Sequence, residues 1–167
     1  MTDQLTTTAQ TPAQAEPIFN IQRTYLKGLS FELPKGAETF LQQGAPHVDL
    51  NISVANSSLQ DGIFEVVLRA TITSQIEGKT FYVLEVDQAG IFEVRNLPNE
   101  QLQGVLEVSC PNILAPYLRA QIADALARAT LPIFYTPEIN WLAMYTQRME
   151  AQAAAQVQAA DASTTKH

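Results

Sequence analysis

From Phe64 to Thr73 the chain alternates with a period of two, Phe64, Val66, Leu68, Ala70 and Ile72 against Glu65, Val67, Arg69, Thr71 and Thr73. Side chains on a strand point to opposite faces in turn, so this stretch suits a strand with one face buried and cannot present one face as a helix. Val48, Leu50, Ile52 and Val54 alternate in the same way with Asp49, Asn51 and Ser53, as do Tyr82, Leu84 and Val86 with Val83, Glu85 and Asp87. Asp61-Gly62 and Glu77-Gly78 stand between these runs, and both are hairpin-turn sequences. A three-strand antiparallel meander is expected. A further strand is expected ahead of it, Phe19 to Glu32, with Ile21, Tyr25, Leu29 and Phe31 on one parity.

The link between this first strand and the second, Leu33 to Pro46, is too long for a tight hairpin and is punctuated by Pro and Gly. Loops of that length are usually functional or mobile. The first strand is therefore expected to cross over instead of pairing with the second. After Phe92 the period changes. Glu100 to Val108 reads as a short helix. Ser109, Cys110, Pro111 and Asn112 read as the entrance to a longer one, with Leu114, Leu118, Ile122 and Leu126 recurring every fourth residue. Leu131 to Pro137 is an apolar connector that its prolines keep non-helical. A last helix is expected from about Glu138, with Trp141, Leu142 and Tyr145. Strands grouped before helices predict an α+β fold, a four-stranded antiparallel sheet with helices on one face.

Residues 1–17 are rich in Thr, Gln, Ala and Pro and predict a disordered tail. Residues 18–150 form the folded domain. Residues 151–167 are Ala/Gln-rich, able to prolong a helix at first but offering little to pack, and are expected to be mostly flexible. No stretch reaches the roughly 20 apolar residues of a membrane helix. No basic-plus-apolar leader opens the sequence, which argues against secretion. The single cysteine, Cys110, excludes an internal disulfide and suits a reducing cytoplasm. With 17 acidic against 10 basic side chains the net charge is −7, which argues against nucleic-acid binding and favours basic polypeptide partners.

Little points to chemistry. His47, His167 and Cys110 make no metal-ligand spacing. Cys110 as a nucleophile would need a base such as His47 from elsewhere in the fold, and a small buried helix residue is the simpler reading. Glu85 and Asp87 share a strand face, where solvation explains them. An enzyme is the weaker class. Asp49, Glu65, Glu85, Asp87 and Glu32 are expected together on the outer sheet face, with only Arg69 interrupting the negative sign; that face either solubilises the protein or docks a basic partner. Leu114, Leu118, Ile122, Leu126, Phe134, Trp141, Tyr145 and Phe40 either fill the core or leave apolar area for another subunit or a groove.

Four segments in order resemble one family. Ser109-Cys110-Pro111-Asn112-Ile113-Leu114-Ala115-Pro116-Tyr117-Leu118-Arg119 is similar to the signature of the SecB protein-export chaperones, and Phe19 to Glu32 to their opening motif. Phe64 to Arg69 with Thr71 to Thr73, and Leu84 to Phe92, resemble their third and fourth strands. The resemblance spans about Phe19 to Tyr145. It implies a SecB-like fold and a cytosolic, ATP-independent homotetramer, a dimer of dimers with helices sandwiched between two sheets. Such proteins need no cofactor. They hold unfolded precursor proteins and deliver them to the SecA motor, whose basic, zinc-bearing C-terminal segment docks on the acidic outer face.

The positions matching that docking site are Gly28, Glu32, Val83 and Glu85, and an acid is usual where Gly28 stands. Client-groove positions map to Phe40 and Leu41 in the crossover loop and to Leu114, Leu118 and Ile122 on the main helix. Leu84, Val86 and Gln88 match positions that influence assembly and are expected at the oligomer interface. Gly44 replaces a frequent aromatic, and Pro137 to Trp141 carries one residue more than the usual pattern. The alternative within the same fold is a SecB-like chaperone dedicated to another client, such as an antitoxin. An enzyme or small-ligand binder using the Cys110 region is the reading from a different class.

Overall fold

A computed structural model of the chain describes residues 15–164, with side chains to residue 155. Strands β1 (Ile18–Glu32), β2 (His47–Gln60), β3 (Ile63–Ile76) and β4 (Lys79–Arg95) form one antiparallel sheet in the order β1-β4-β3-β2. The first strand thus crosses the meander and pairs with β4, as the long loop requires. Glu77 (φ 51°) and Gly78 (φ 74°) make the two-residue β3–β4 turn, the left-handed pair that matches the twist of a hairpin. Gly62 (φ 69°) turns β2 into β3, and a Cβ there would lie 2.7 Å from the Arg95 guanidinium.

The period-two alternation of β2, β3 and β4 sorts their side chains as expected. Val66, Leu68, Ala70 and Ile72 of β3 and Leu84 and Val86 of β4 are fully buried on the inner face. β1 departs from a single parity. Register shifts between Ile21 and Arg23 and between Leu26 and Gly28 each insert one residue. Each bulge flips the side chains that follow it. Ile21, Leu29 and Phe31 therefore face inward, opposite Phe92, Val86 and Leu84, whereas Tyr25 faces outward opposite Ala89.

The expected break between two helices is absent. α1 (Asn99–Gly104) continues through a π-helical turn, Val105–Ser109, into α2 (Cys110–Arg128). Ser109 has helical dihedrals and makes no side-chain cap, so the Ser109–Pro111 stretch is not a helix entrance. A mid-helix proline lacks an N–H and its ring clashes with the carbonyl four residues back. The wider π-turn just ahead of Pro111 absorbs that clash without ending the helix.

α2 lies across β3 and β4 and buries Leu114, Leu118, Ile122 and Leu126 against them. Each such side chain contributes roughly 1.5–3 kcal/mol on leaving water. Gly90 permits the close approach, since a Cβ there would meet Leu114 at 3.0 Å and Phe92 at 2.6 Å. Residues 131–140 have no regular structure. α3 (Trp141–Thr164) then starts where Asn140 Oδ1 accepts the Ala143 N–H at 3.0 Å. Helix therefore persists well into the segment expected to be flexible. Residues 1–14 of the expected tail lie outside the described residues, as do residues 165–167.

Candidate functional site: an acidic sheet end and an apolar groove

The outer face of the sheet carries more positive charge than its sequence suggested. Arg69 grips Asp87 with Nε and one terminal nitrogen, each 2.6 Å from a carboxylate oxygen. Lys27, brought to this face by the second β1 bulge, pairs with Glu65 at 2.7 Å, and the Tyr25 hydroxyl donates to the same carboxylate. Arg95 bonds Glu93 at 2.9 Å and Asp61 at 3.1 Å. Lys27 and Arg95 thus join Arg69 in interrupting the acids, and Arg23, opposite Ile91, is exposed on the same face. The Arg69 guanidinium holds the Asp87 carboxyl below its ordinary range, and bonds from Lys27 and Tyr25 do the same for Glu65.

Asp49 meets only the exposed His47 ring, at 3.3 Å, and two further acids stand without a partner among the described residues. Glu32 pairs across the strands with Val83, and Ser30 pairs with Glu85, so Glu32, Val83 and Glu85 share one end of the β1–β4 ladder. Both carboxylates are exposed, and neither makes an ion pair among the described residues. Gly28 lies further along the same face, opposite Asp87. All four positions that the family resemblance matches to a docking site thus lie on the outer face. The sheet register is the reason, because residues two apart on adjacent antiparallel strands share one surface.

The expected client positions divide. Phe40 and Leu41 sit on a 3-10 turn, Gly36–Leu41, and are 52% and 81% exposed. Leu114, Leu118 and Ile122 are buried beneath α2 and offer nothing to a ligand, which corrects their placement in a groove. Their four-residue spacing is the stripe that faces the sheet. Leu84, Val86 and Gln88 are likewise buried on the inner face of β4, not at a subunit surface. Gln88 instead holds the bulged strand, its Nε2 donating to the Tyr25 carbonyl oxygen at 2.9 Å.

An apolar groove of about 520 Å³ opens elsewhere, between β2 and α3. Ile52 and Val54 form its sheet side, Trp141, Met144 and Tyr145 its helix side, and Glu107 and Arg148 its polar rim. The sequence placed Trp141 and Tyr145 on a helix and Ile52 and Val54 on a strand, but no pattern in it says that the two elements face each other. The outer edge of β2 carries no partner strand among the described residues. From His47 to Val54 this free edge runs on the order of 20 Å at strand rise, from the end of the crossover loop to the groove.

Burial pushes the Cys110 thiol up to about 12, which leaves it protonated and inaccessible as a nucleophile. Among the described residues no group of three or more His, Cys, Asp or Glu side chains is placed to hold a metal ion. No described helix is long and apolar enough to cross a membrane.

Comparison with known proteins agrees with this architecture. A protein-export protein SecB of Cupriavidus pinatubonensis is 47% identical over 141 residues, covering 84% of this chain and 82% of the relative. One from Bordetella avium is 44% identical over 161 residues, covering 96% and 93%. Among solved structures, the Mycobacterium tuberculosis Rv1957 SecB-like chaperone, in complex with a ChAD peptide from the HigA1 antitoxin, superposes with a TM-score of 0.58 at 18% identity. That match covers 72% of this chain and 90% of the other, and it establishes a shared fold. The model of the family described as preprotein translocase subunit SecB matches residues 12–152, and the chain belongs to that SecB family.

Proposed function

We propose that the protein is an export chaperone that binds unfolded precursor proteins in the cytoplasm, without nucleotide, and hands them to SecA. Membership of the SecB family and relatives named protein-export protein SecB support the reading. The observation that carries it is the separation of two surfaces on one domain. Uncompensated carboxylates, Glu32 and Glu85, mark one end of the outer face. Exposed apolar side chains, a free strand edge and the β2–α3 groove lie elsewhere. The first suits the basic, zinc-bearing C-terminal segment of SecA, with Val83 as its apolar contact and Gly28 as a site lacking charge. The second suits an extended apolar chain, entering past Phe40 and Leu41 and following β2 into the groove.

Holding needs no energy source. A ligand that binds only the unfolded chain shifts its folding equilibrium by mass action. Apolar area is non-directional, so one groove accepts many sequences. Main-chain bonds to a free strand edge are equally indifferent to side-chain identity.

The proposal includes a homotetramer, a dimer of dimers. β1 is an edge strand of 15 residues, and α2 covers only its neighbours. Phe19, Ile21, Leu26 and Leu29 on its inner side remain between 41% and 48% exposed. An unprotected edge with an apolar flank invites a second copy. Titration of the assembled protein with a permanently unfolded precursor, and separately with the SecA C-terminal peptide, tests the reading. Capture of both without nucleotide and without competition is expected. Failure to hold any unfolded chain would overturn it.

A further inference from the structure

Glu107 joins three elements at the rim of the groove. It lies on the π-turn, its Oε1 accepts from Asn56 Nδ2 of β2 at 2.7 Å, and its Oε2 pairs with the Arg148 guanidinium of α3. The Glu107 side chain is only 10% exposed, and that of Arg148 is 40% exposed. Arg148 is also the last described α3 side chain that is not exposed, Met149 to Ala155 all being exposed. Ahead of the helix, residues 131–140 have no regular structure, and Phe134, Ile139 and the Arg119–Pro137 hydrogen bond anchor them, so any opening of α3 pivots on its first turn.

We propose that Glu107 and Arg148 form a latch that holds α3 against the edge of β2 and sets how long a chain segment stays in the groove. The inference rests on the reading of that groove as part of the client site. With the pair closed, Trp141, Met144 and Tyr145 are kept facing Ile52 and Val54. With it open, α3 is held by its first two turns alone, and the groove loses one wall. A bound segment then leaves faster. Because Glu107 is sheltered, the pair is screened by salt far less than an exposed one. Glu107 and Arg148 are positioning residues and need not touch the client.

The chain has one tryptophan, and Trp141 lines this groove at 6% exposure, so its emission reports directly on the wall. The experiment uses the assembled full-length protein and a permanently unfolded, tryptophan-free, dye-labelled polypeptide followed by stopped-flow fluorescence. E107Q and R148M are expected to raise the dissociation rate about fivefold to tenfold and to expose Trp141 to acrylamide. The charge-swapped pair E107R/R148E is expected to restore both towards wild type, which a loss of packing would not allow. Wild-type dissociation rates in both single variants would overturn the latch, as would failure of the swapped pair to restore them. Capture of the polypeptide by wild type with no change in Trp141 emission would instead overturn the groove as a client site.

Discussion

Gly28 faces Asp87 across the β1–β4 ladder, and the Asp87 carboxylate lies 3.6 Å from where a Cβ on Gly28 would stand. Gly28 needs no left-handed backbone, and the space beside it is ordinary contact distance. An aspartate is therefore tolerated there. Because Arg69 already neutralises Asp87, Gly28→Asp adds a net negative charge near Glu85. Binding of the SecA C-terminal peptide is expected to tighten about fivefold, roughly 1 kcal/mol, when measured by calorimetry at low salt. Equal affinity for both proteins would remove this position from the docking site.

Reversing the unpaired acids has the opposite sign. Glu32→Lys and Glu85→Lys are each expected to weaken that peptide's binding at least tenfold, with assembly unchanged by light scattering, because both side chains are exposed. Raising the salt concentration should weaken wild-type docking too. If neither reversal alters the affinity, the acidic end serves only solubility.

Phe40→Ser and Leu41→Ser test the loop. Capture of an unfolded precursor is expected to fall, by at most about 1.5–3 kcal/mol per side chain, while the melting curve stays at the wild-type position. Leu118→Ser is expected to do the reverse. It removes a core side chain 2% exposed and should cost about 2–5 kcal/mol of stability by denaturant titration. Full holding activity in a stable Phe40→Ser/Leu41→Ser protein would show that clients do not use the crossover loop.

Acid sensitivity follows from the outer-face pairs. The Arg69 guanidinium lowers the Asp87 pKa, and Lys27 and Tyr25 lower that of Glu65, in the folded state. Their stabilisation is therefore complete above the unfolded carboxylate value, about pH 4, and is lost as pH falls through the lower folded values. Asp87→Asn is expected to cost on the order of 1 kcal/mol at pH 7 and to flatten the loss of stability below pH 4. Urea midpoints measured from pH 7 down to pH 2.5 would show a parallel, unflattened curve if the pair contributes nothing.

The sequence by itself determined the strands, their inward faces from β2 to β4, the two tight turns, the crossover and the family. All but the family follow from local periodicity and from turn residues that few other conformations accept, and the family follows from the resemblance of four motifs. Alternation also put Val83 and Glu85 on the outward side of β4 with Glu32 joining them, whereas the family resemblance alone groups Gly28 with them. Tertiary structure decided what periodicity cannot express. Two bulges in β1 reversed parity and sent Tyr25 and Lys27 outward, where they meet Glu65. A π-turn let one helix pass Pro111 where local rules place a break. The apolar stripe of α2, and with it Leu84, Val86 and Gln88, went to the core because α2 packs that stripe on the inner face of β3 and β4. The groove arose from docking α3 beside the free edge of β2, a contact between residues about 90 positions apart that no local pattern encodes.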